Sequence, residues 1–286
     1  MNYFEMLKNS AREGNSIVCM GADPVIEKIP VEKASIEEKI FSFYSEIIRV
    51  CKEENCLPGA VKPNYAFFAQ YGFDGLKALK RFCELAKEEN MILILDAKRG
   101  DIGKTSEAYA RECFAFWKAD ATTVNPFMGS DSVRPFIKWA EENGNGCYVL
   151  NRTSNEGAKE FQNQRIGEKE LFKLVSEKII EWGKQAKGNL GSVVGATSTK
   201  ELEEITKIFS KAENQVPLLI PGVGAQGGTA EEVTETLRRV GYDLSIVRIN
   251  ASSSINYAFE KEQSTDFAGA AAREIKGLNK EMRAIF

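Results

Sequence analysis

The chain has 286 residues, of which 38 are Lys or Arg and 41 are Asp or Glu, so its formal net charge is −3. A hydrophobic content of 43% with 28% charged residues is typical of a folded globular protein. The weak negative charge argues against nucleic acid or an anionic membrane as the main partner. The sequence contains no histidine, which excludes a Ser-His-Asp triad, a His general base and a His-ligated metal.

The apolar segments and the cysteines indicate the cellular compartment in which the protein is located. No apolar run approaches the ~20 residues that a membrane-spanning helix needs, and Met1–Ser10 has no hydrophobic signal core. The six cysteines form no C-x-x-C pair and several lie in apolar periodic runs, so we expect buried, reduced thiols. We therefore expect a cytoplasmic protein without a membrane partner, whose chemistry uses Lys, Asp, Glu, Ser, Thr, Tyr or backbone groups.

Short, continuously apolar runs recur along the chain and are typical of strands buried on both faces. The eight predicted strands are Ser16–Gly21, Gly59–Lys62, Met91–Lys98, Ala121–Asn125, Gly146–Asn151, Gly191–Ala196, Pro217–Pro221 and Leu244–Asn250. The stretches between them have helical periodicity, which is clearest over Ile36–Glu53. This alternation predicts a (β/α)₈ TIM barrel, and the lack of a linker predicts a single domain over residues 1–286. An open doubly wound sheet is the alternative, because periodicity does not report closure.

Two connections are longer than a barrel requires. Asp23–Ile36 follows the first predicted strand, and Arg152–Gly167 follows the fifth. In a barrel both project from the C-terminal face, where active sites are built. The second connection is polar and contains glycine, so we expect it to act as a mobile lid.

Charged residues stand where three of the predicted strands end. Asp23 follows the first strand, Lys62 ends the second, and Asp96 and Lys98 end the third, with Asp101 just beyond. A charge that ends a buried strand is costly unless it is paired or faces a solvated cleft. Asp96 and Lys98 are two residues apart, so we expect them to share a face of the strand. A structural ion pair is the alternative, but convergence on successive strands favours an active site in which these groups shift one another's pKa.

Two further segments carry polar groups suited to a ligand. The glycine-rich segment Leu218–Glu232 follows the seventh strand and ends in Thr229 and Glu232 at capping-box spacing, which predicts a phosphate site beside a helix N-terminus. A plain turn is the alternative there. Asn151–Gly157 follows the fifth strand with hydroxyl and amide groups suited to a polar heterocycle, and a plain polar loop is as good an interpretation.

The segment Asp96–Thr105 resembles the D-x-K-x-x-D-I-x-x-T signature of the orotidine 5′-phosphate decarboxylase family. Five defined positions match at fixed spacing, directly after an apolar strand. The similarity extends over most of the chain, through Gly21–Asp23, Val61–Pro63, Thr153–Ala158 and Pro221–Gly228. The length and the long loops resemble the longer branch of the family, which includes bacterial and archaeal members.

The resemblance implies a homodimeric barrel that converts orotidine 5′-monophosphate to uridine 5′-monophosphate and CO₂ without a cofactor or a metal. Lys98 would donate the proton to C6 of the pyrimidine, Asp96 would lie beside the substrate carboxylate, and Lys62 would complete the charged set. The chemistry agrees, because a carbanion formed without a cofactor needs electrostatic stabilisation from the protein.

The resemblance also implies the remaining contacts of a shared site. From one subunit, Asp101, Ile102 and Thr105 would enter the active site of the other. The substrate contacts within one barrel would be Asp23 with Lys62 at the ribose, Ser154 at the pyrimidine amide, and Pro221 and Gln226 at the phosphate.

One position departs from the family pattern. An arginine near the start of the helix after strand eight binds the phosphate in the family, and Ser253 stands there in this chain. Arg248 is the nearest cation in sequence, so we hypothesise that it or the backbone of Gly222–Gly228 binds the phosphate instead.

Three other functions are consistent with these motifs. A related sugar-phosphate decarboxylase or synthase would share the D-x-K-x-x-D core but need Mg²⁺. An aldolase would use Lys98 or Lys62 as a Schiff-base lysine. A catalytically inactive nucleotide-binding barrel would explain the missing arginine. The Ile-x-x-Thr continuation and the long fifth loop favour the nucleotide decarboxylase over the sugar-phosphate enzymes.

Overall fold

Eight parallel strands form one closed sheet in the computed structural model, which describes residues 1–184, 186, 189–213, 215–224 and 228–282. The strands are β1 (Val18–Ala22), β2 (Ala60–Pro63), β3 (Ile94–Arg99), β4 (Ala121–Val124), β5 (Gly146–Arg152), β6 (Leu190–Val194), β7 (Leu218–Pro221) and β8 (Val247–Ala251). Their order in the sheet is β2-β1-β8-β7-β6-β5-β4-β3. Bridges from Val61 to Leu93 and from Asn64 to Asp96 join β2 to β3. The order is therefore circular, which confirms the predicted barrel and excludes the open sheet.

Helices surround the strands and cover the apolar sheet. They are α1 (Tyr3–Gly14), α2 (Ile36–Glu53), α3 (Tyr65–Ala69), α4 (Gly72–Glu88), α5 (Gly103–Arg111), α6 (Ser130–Asn143), α7 (Ala158–Phe161), α8 (Leu171–Gly183), α9 (Thr199–Phe209), α10 (Ala230–Arg239), α11 (Ser253–Asn256), α12 (Ala258–Glu262) and α13 (Phe267–Glu281). The predicted capping box of α10 is confirmed: the side chains of Thr229 and Glu232 each accept the other's backbone N–H. All six cysteines are buried and free, as expected.

The structure differs from the predicted elements at the start of β8 and in the loop after β5. Leu244–Ile246 forms a 3₁₀ turn rather than strand, because the Asp243 carboxylate accepts both the backbone N–H and the hydroxyl of Ser245. The loop after β5 contains α7 and a short antiparallel ribbon that pairs Arg165–Ile166 with Lys169–Glu170. The loop after β5 therefore contains regular secondary structure.

A buried arginine ties three parts of the chain together at the N-terminal end of the barrel. Helix α1 lies across this end, where Ser10 donates a hydrogen bond of 2.8 Å to the carbonyl of Gly59. The side chain of Arg248, on β8, is fully buried. It donates to four backbone carbonyls at 2.8–3.3 Å, those of Leu7, Gly59, Ser245 and Val247. The guanidinium therefore satisfies carbonyls that would otherwise be buried without a donor.

Replacement of this arginine by methionine should test its structural role. Arg248→Met keeps much of the apolar volume but removes the donors, and we expect the free energy of unfolding to fall by roughly 2–5 kcal/mol. Urea denaturation would measure the change. Arg49→Met is the matched control, since Arg49 forms only exposed ion pairs with Glu46 and Glu53 on α2 and should matter little. Equal effects of the two substitutions would contradict the role given to Arg248.

Candidate active site

A cavity of about 660 Å³ opens where the C-terminal ends of the barrel strands meet. The side chains that end successive strands converge there because the strands are parallel. Six of the predicted site residues line it, namely Asp23, Lys62, Asp96, Lys98, Ser154 and Pro221. The expected convergence of charged residues from separate strands is thus present in the fold.

One carboxylate is shared between two lysines in this cavity. The Nζ of Lys62 lies 2.9 Å from Oδ2 of Asp96, and the Nζ of Lys98 lies 2.7 Å from Oδ1. The side chains of Lys62 and Asp96 are only 5% and 8% exposed, whereas that of Lys98 is 49% exposed. Lys98 is therefore the member of the group whose ammonium a ligand can reach.

The charged neighbours of Asp96 and Lys62 stabilise the ionised forms of these two buried residues. Burial alone raises the pKa of Asp96, but the ammonium groups of Lys62 and Lys98 outweigh it and hold this pKa well below its usual range. Burial likewise lowers the pKa of Lys62, yet the carboxylates of Asp96 and Asp23 outweigh it and raise this pKa above its ordinary value. The site therefore holds a fixed alternation of charge near neutral pH.

The backbone at Lys98 is unusual. Its φ is +46°, in the left-handed region that non-glycine residues seldom adopt, and the pairing of β3 with β4 shifts register between Leu95 and Arg99. Asp96 and Lys98 both line the cavity and contact each other, as their two-residue spacing predicts, although the strand that carries them is irregular.

Thr123 on β4 is a polar residue of the cavity that the sequence analysis missed. Its Oγ1 accepts the backbone N–H of Lys98 at 3.0 Å and lies 2.8 Å from Oδ1 of Asp96. Thr123 is buried and lies within an apolar strand. A hydroxyl residue of high β-propensity in such a strand gives no sequence signal of a polar contact.

Among the residues that the structure describes, the cavity wall also contains unpaired polar atoms and a separate apolar surface. The Oδ1 atoms of Asp23 and Asn250 are buried and have no hydrogen-bond partner within the described residues. Leu150, Val193 and Leu219 supply an apolar wall from β5, β6 and β7. This wall lowers the local dielectric constant and so strengthens the field of the charged groups.

The part of the glycine-rich loop that the structure describes directly after β7 lies at the cavity, as expected. Pro221 and Gly222 line the cavity, and the φ angles of Gly222 and Gly224 are +96° and +88°. This left-handed backbone explains the glycines, because side chains there would be strained. Gln226 lies outside the described residues.

Ser253, at the position of the missing arginine, also lines the cavity. The described lining contains one cation besides Lys62 and Lys98, namely Lys28, whose Nζ lies 2.9 Å from Oε2 of Glu260. Ser253 therefore supplies a hydroxyl to the cavity wall where the family pattern has a guanidinium.

A close approach of two loops positions Ser154. A side chain at Gly195, just after β6, would come within 2.7 Å of the Cα of Ser154. Gly195 also donates its N–H to the carbonyl of Arg152 at 2.7 Å. Glycine at this point therefore lets the chain that carries Ser154 lie against the β6 end.

The remaining predicted site residues lie away from the described lining of the cavity. Asp101 is half-buried, with Oδ1 accepting the N–H of Ile102 at 2.8 Å, while Ile102 and Thr105 are exposed. The hypothesis that Arg248 binds phosphate is wrong, because its guanidinium is enclosed by backbone carbonyls at the opposite end of the barrel. Arg248 is close to Ser253 in sequence, but its side chain points away from the cavity.

The described residues contain no group of three or more His, Cys, Asp or Glu placed to hold a metal ion. They also contain no helix of the length and apolarity needed to cross a membrane.

A barrel with a fixed lysine–aspartate–lysine field at its mouth is an enzyme scaffold suited to reactions that develop negative charge. A model of the orotidine 5′-phosphate decarboxylase / HUMPS family matches residues 17–263, and the chain belongs to this family.

Individual relatives agree with the family match. An orotidine 5′-phosphate decarboxylase of Christiangramia forsetii is 42% identical over 265 residues, which cover 91% of each chain. The structure of Leishmania donovani OMP decarboxylase aligns with a TM-score of 0.76 and 29% identity over 99% of each chain. The structure of Leishmania donovani UMP synthase aligns with a TM-score of 0.80 and 31% identity over all of this chain, which spans 56% of that longer chain.

The depressed pKa of Asp96 predicts a specific acid sensitivity. Since the pKa in the folded state lies below the value of about 3.9 in the unfolded state, the ionised carboxylate stabilises the fold above about pH 4. This contribution is lost as the pH falls toward the folded-state pKa. Below pH 4 the unfolding free energy of the wild type should therefore fall more steeply than that of Asp96→Asn, by up to about 1.4 kcal/mol per pH unit.

Urea titrations at several values between about pH 5 and pH 3 would measure these slopes. Asp131→Asn removes an exposed carboxylate from α6 and serves as the control for the loss of one acidic group. Parallel slopes for the wild type and Asp96→Asn would contradict the electrostatic account of the site.

Proposed function

We propose that this protein decarboxylates orotidine 5′-monophosphate to uridine 5′-monophosphate and CO₂ in pyrimidine biosynthesis. The observation that carries the proposal is the accessible ammonium of Lys98, held 2.7 Å from the buried carboxylate of Asp96 in a chain of the decarboxylase family. The shared carboxylate keeps a positive and a negative charge fixed side by side, as the reaction requires.

The charges act in opposite directions on substrate and transition state. The substrate carboxylate lies beside Asp96, and this repulsion is relieved as the carboxyl group leaves. The bond from C6 to the carboxyl carbon breaks, its electron pair stays on C6, and CO₂ departs. The ammonium of Lys98 stabilises the developing carbanion and then transfers a proton to C6, after which solvent reprotonates the amine. The apolar wall formed by Leu150 and Val193 strengthens this electrostatic effect.

The rest of the cavity accommodates the other parts of the nucleotide. Asp23, whose Oδ1 is a buried acceptor without a described partner, binds the ribose hydroxyls together with Lys62. Ser154 hydrogen-bonds the pyrimidine amide. The phosphate binds to the backbone of Pro221–Val223 in the cavity wall, with Ser253 in place of the arginine, and the family pattern adds Gln226 as a further contact. Binding energy at this remote end contributes to the rate by organising the reacting end.

The active form is a homodimer in which each site is completed by the partner. Asp101 and Thr105 lie beyond the described cavity lining of their own barrel, beside an exposed Ile102. The side chains of Ile102, Phe127 and Met128 are 53%, 86% and 48% exposed on neighbouring loops after β3 and β4. Such an apolar surface favours contact with a second copy of the chain. Six free cysteines support a reducing, cytoplasmic location.

The decisive assay follows the loss of orotidine 5′-monophosphate by absorbance after treatment of the enzyme with a chelator. Wild-type enzyme should remain active, and Lys98→Ala should lose at least about a thousandfold in kcat while it keeps its fold by circular dichroism. The loss follows because the substitution removes both the stabilising charge and the proton donor.

Lys207→Ala is the matched control, because Lys207 lies exposed on α9 in an ion pair with Glu203. Near-normal turnover by folded Lys98→Ala would remove Lys98 from the mechanism. Activity only with added Mg²⁺ and a sugar phosphate would favour the sugar-phosphate alternative, and borohydride trapping of a ketose phosphate would favour the aldolase. Binding of the nucleotide without turnover would favour an inactive barrel.

Complementation between two inactive variants tests the shared site. Lys98→Ala and Asp101→Asn should each be nearly inactive, yet a mixed dimer contains one site with both native residues. Random 1:1 mixing should therefore restore about a quarter of the wild-type specific activity, because half of the dimers are mixed and each has one intact site of two.

The matched control mixes Lys98→Ala with Lys62→Ala. Both lysines line the cavity of one barrel, so no mixed dimer regains a complete site and no activity should return. Subunit exchange is verified by mass spectrometry of differently tagged chains. Failure of the Lys98→Ala and Asp101→Asn mixture to recover after exchange would refute the shared arrangement.

A further inference from the structure

We propose that Thr123 is a positioning residue for the decarboxylation, acting by holding the ammonium of Lys98 against Asp96. The inference rests on the proposed function. The supporting geometry is a closed ring of three hydrogen bonds that joins the backbone and the side chain of one lysine through two other residues. The ring runs from Lys98 N–H to Thr123 Oγ1 at 3.0 Å, from Thr123 Oγ1 to Asp96 Oδ1 at 2.8 Å, and from Lys98 Nζ to the same Oδ1 at 2.7 Å.

The direction of each hydrogen bond in the ring is determined by chemistry. The backbone N–H of Lys98 is a donor only, so the hydroxyl oxygen of Thr123 accepts it. The carboxylate of Asp96 is ionised and accepts only, so the hydroxyl proton of Thr123 points toward Oδ1. Thr123 is 1% exposed, so these two hydrogen bonds within the protein are the main contacts of its hydroxyl. The side chain of Thr123 therefore orients both Lys98 and Asp96.

The hydrogen bond to Thr123 supports the backbone of Lys98, which has a left-handed conformation. With φ at +46°, Lys98 adopts a conformation that costs free energy for a residue with a side chain. In the shifted pairing of β3 and β4, the N–H of Lys98 finds its acceptor on the Thr123 side chain. Without that hydroxyl the backbone of Lys98 loses the contact that stabilises this conformation, and the position of its side chain is less firmly fixed.

The second effect of Thr123 is on the carboxylate itself. Oδ1 of Asp96 accepts from both Thr123 and Lys98, while Oδ2 accepts from Lys62. Three donors hold the carboxylate plane in one orientation, and this orientation determines where the ammonium of Lys98 lies. Loss of one donor loosens the carboxylate without removing any charge from the site.

Valine is the appropriate replacement, because Thr123→Val keeps the branched shape and replaces only the hydroxyl with a methyl group. Turnover should fall by roughly 10- to 100-fold in kcat, the equivalent of one hydrogen bond to a charged group, with KM changed by less than about threefold. Thr123→Ser, which restores the hydroxyl, should recover most of the loss.

The neighbouring residue offers a matched control. Thr122 is also fully buried on β4, but its hydroxyl donates to the carbonyl of Leu95 at 2.9 Å, on the opposite face of the strand from the cavity. Thr122→Val makes the same chemical change one residue away. It should lower the unfolding free energy but leave kcat near the wild-type value.

A second measurement does not depend on activity. The amide resonance of Lys98 in a ¹⁵N-labelled protein reports its hydrogen bond to Thr123. It should shift and exchange faster with solvent in Thr123→Val, and should stay close to wild type in Thr123→Ser and Thr122→Val. If the valine variant does not fold, Thr123→Ala carries the same test with a smaller side chain.

The outcomes separate the two proposals. If the wild type does not decarboxylate the nucleotide, the proposed function is wrong. The amide resonance of Lys98 then still shows whether Thr123 holds the lysine. An active wild type with equal kcat values for Thr123→Val and Thr122→Val would overturn the positioning role alone. A rise in KM at unchanged kcat would also overturn it, since the hydroxyl would then serve binding.

Discussion

The shared carboxylate of Asp96 is the interaction on which the cavity depends. An isolated ion at this depth would be strongly disfavoured, because burial removes it from water. With Lys62 on one oxygen and Lys98 on the other, each ion supplies the counter-charge that makes the others tolerable. The three residues are therefore interdependent: Lys62 and Asp96 are buried and fixed, and they hold in place the accessible ammonium of Lys98. A catalytic field of this kind needs no histidine, which explains how a chain without one can perform acid–base chemistry.

The two ends of the barrel are specialised for different purposes. At the C-terminal end the buried charges are paired side chain to side chain around an open cavity. At the N-terminal end the buried charge of Arg248 is surrounded by backbone carbonyls, and the hydroxyls of Tyr3 and Tyr148 bond each other at 3.0 Å. The first end leaves polar atoms such as Oδ1 of Asp23 available to a ligand, whereas the second satisfies its groups within the chain. This division between a reactive and a structural face is a general property of the fold.

Sequence patterns predicted the barrel and the charged residues at the strand ends of the cavity, because both depend on short-range regularities. Continuous apolar runs locate strands, and a charge at the end of such a run identifies a functional end, as at Lys62 and Asp96. The patterns failed where the outcome depends on a local irregularity or on the direction of one side chain. The hydroxyl of Thr123 has the same sequence context whether it faces the cavity or the helices, and Thr122 in fact faces the other way. The left-handed backbone of Lys98 and the inward direction of Arg248 likewise follow from tertiary packing.

The bonds of Arg248 also bear on how the chain reaches this structure. Its contact with the carbonyl of Leu7 joins residues 241 positions apart, and its contact with Gly59 joins residues 189 positions apart. These carbonyls belong to segments that leave the ribosome early, while β8 is among the last strands to be made. Until β8 is made, the carbonyls of Leu7 and Gly59 lack this donor and form hydrogen bonds to water instead. Closing the barrel through such contacts slows folding, because residues far apart in sequence must be brought together.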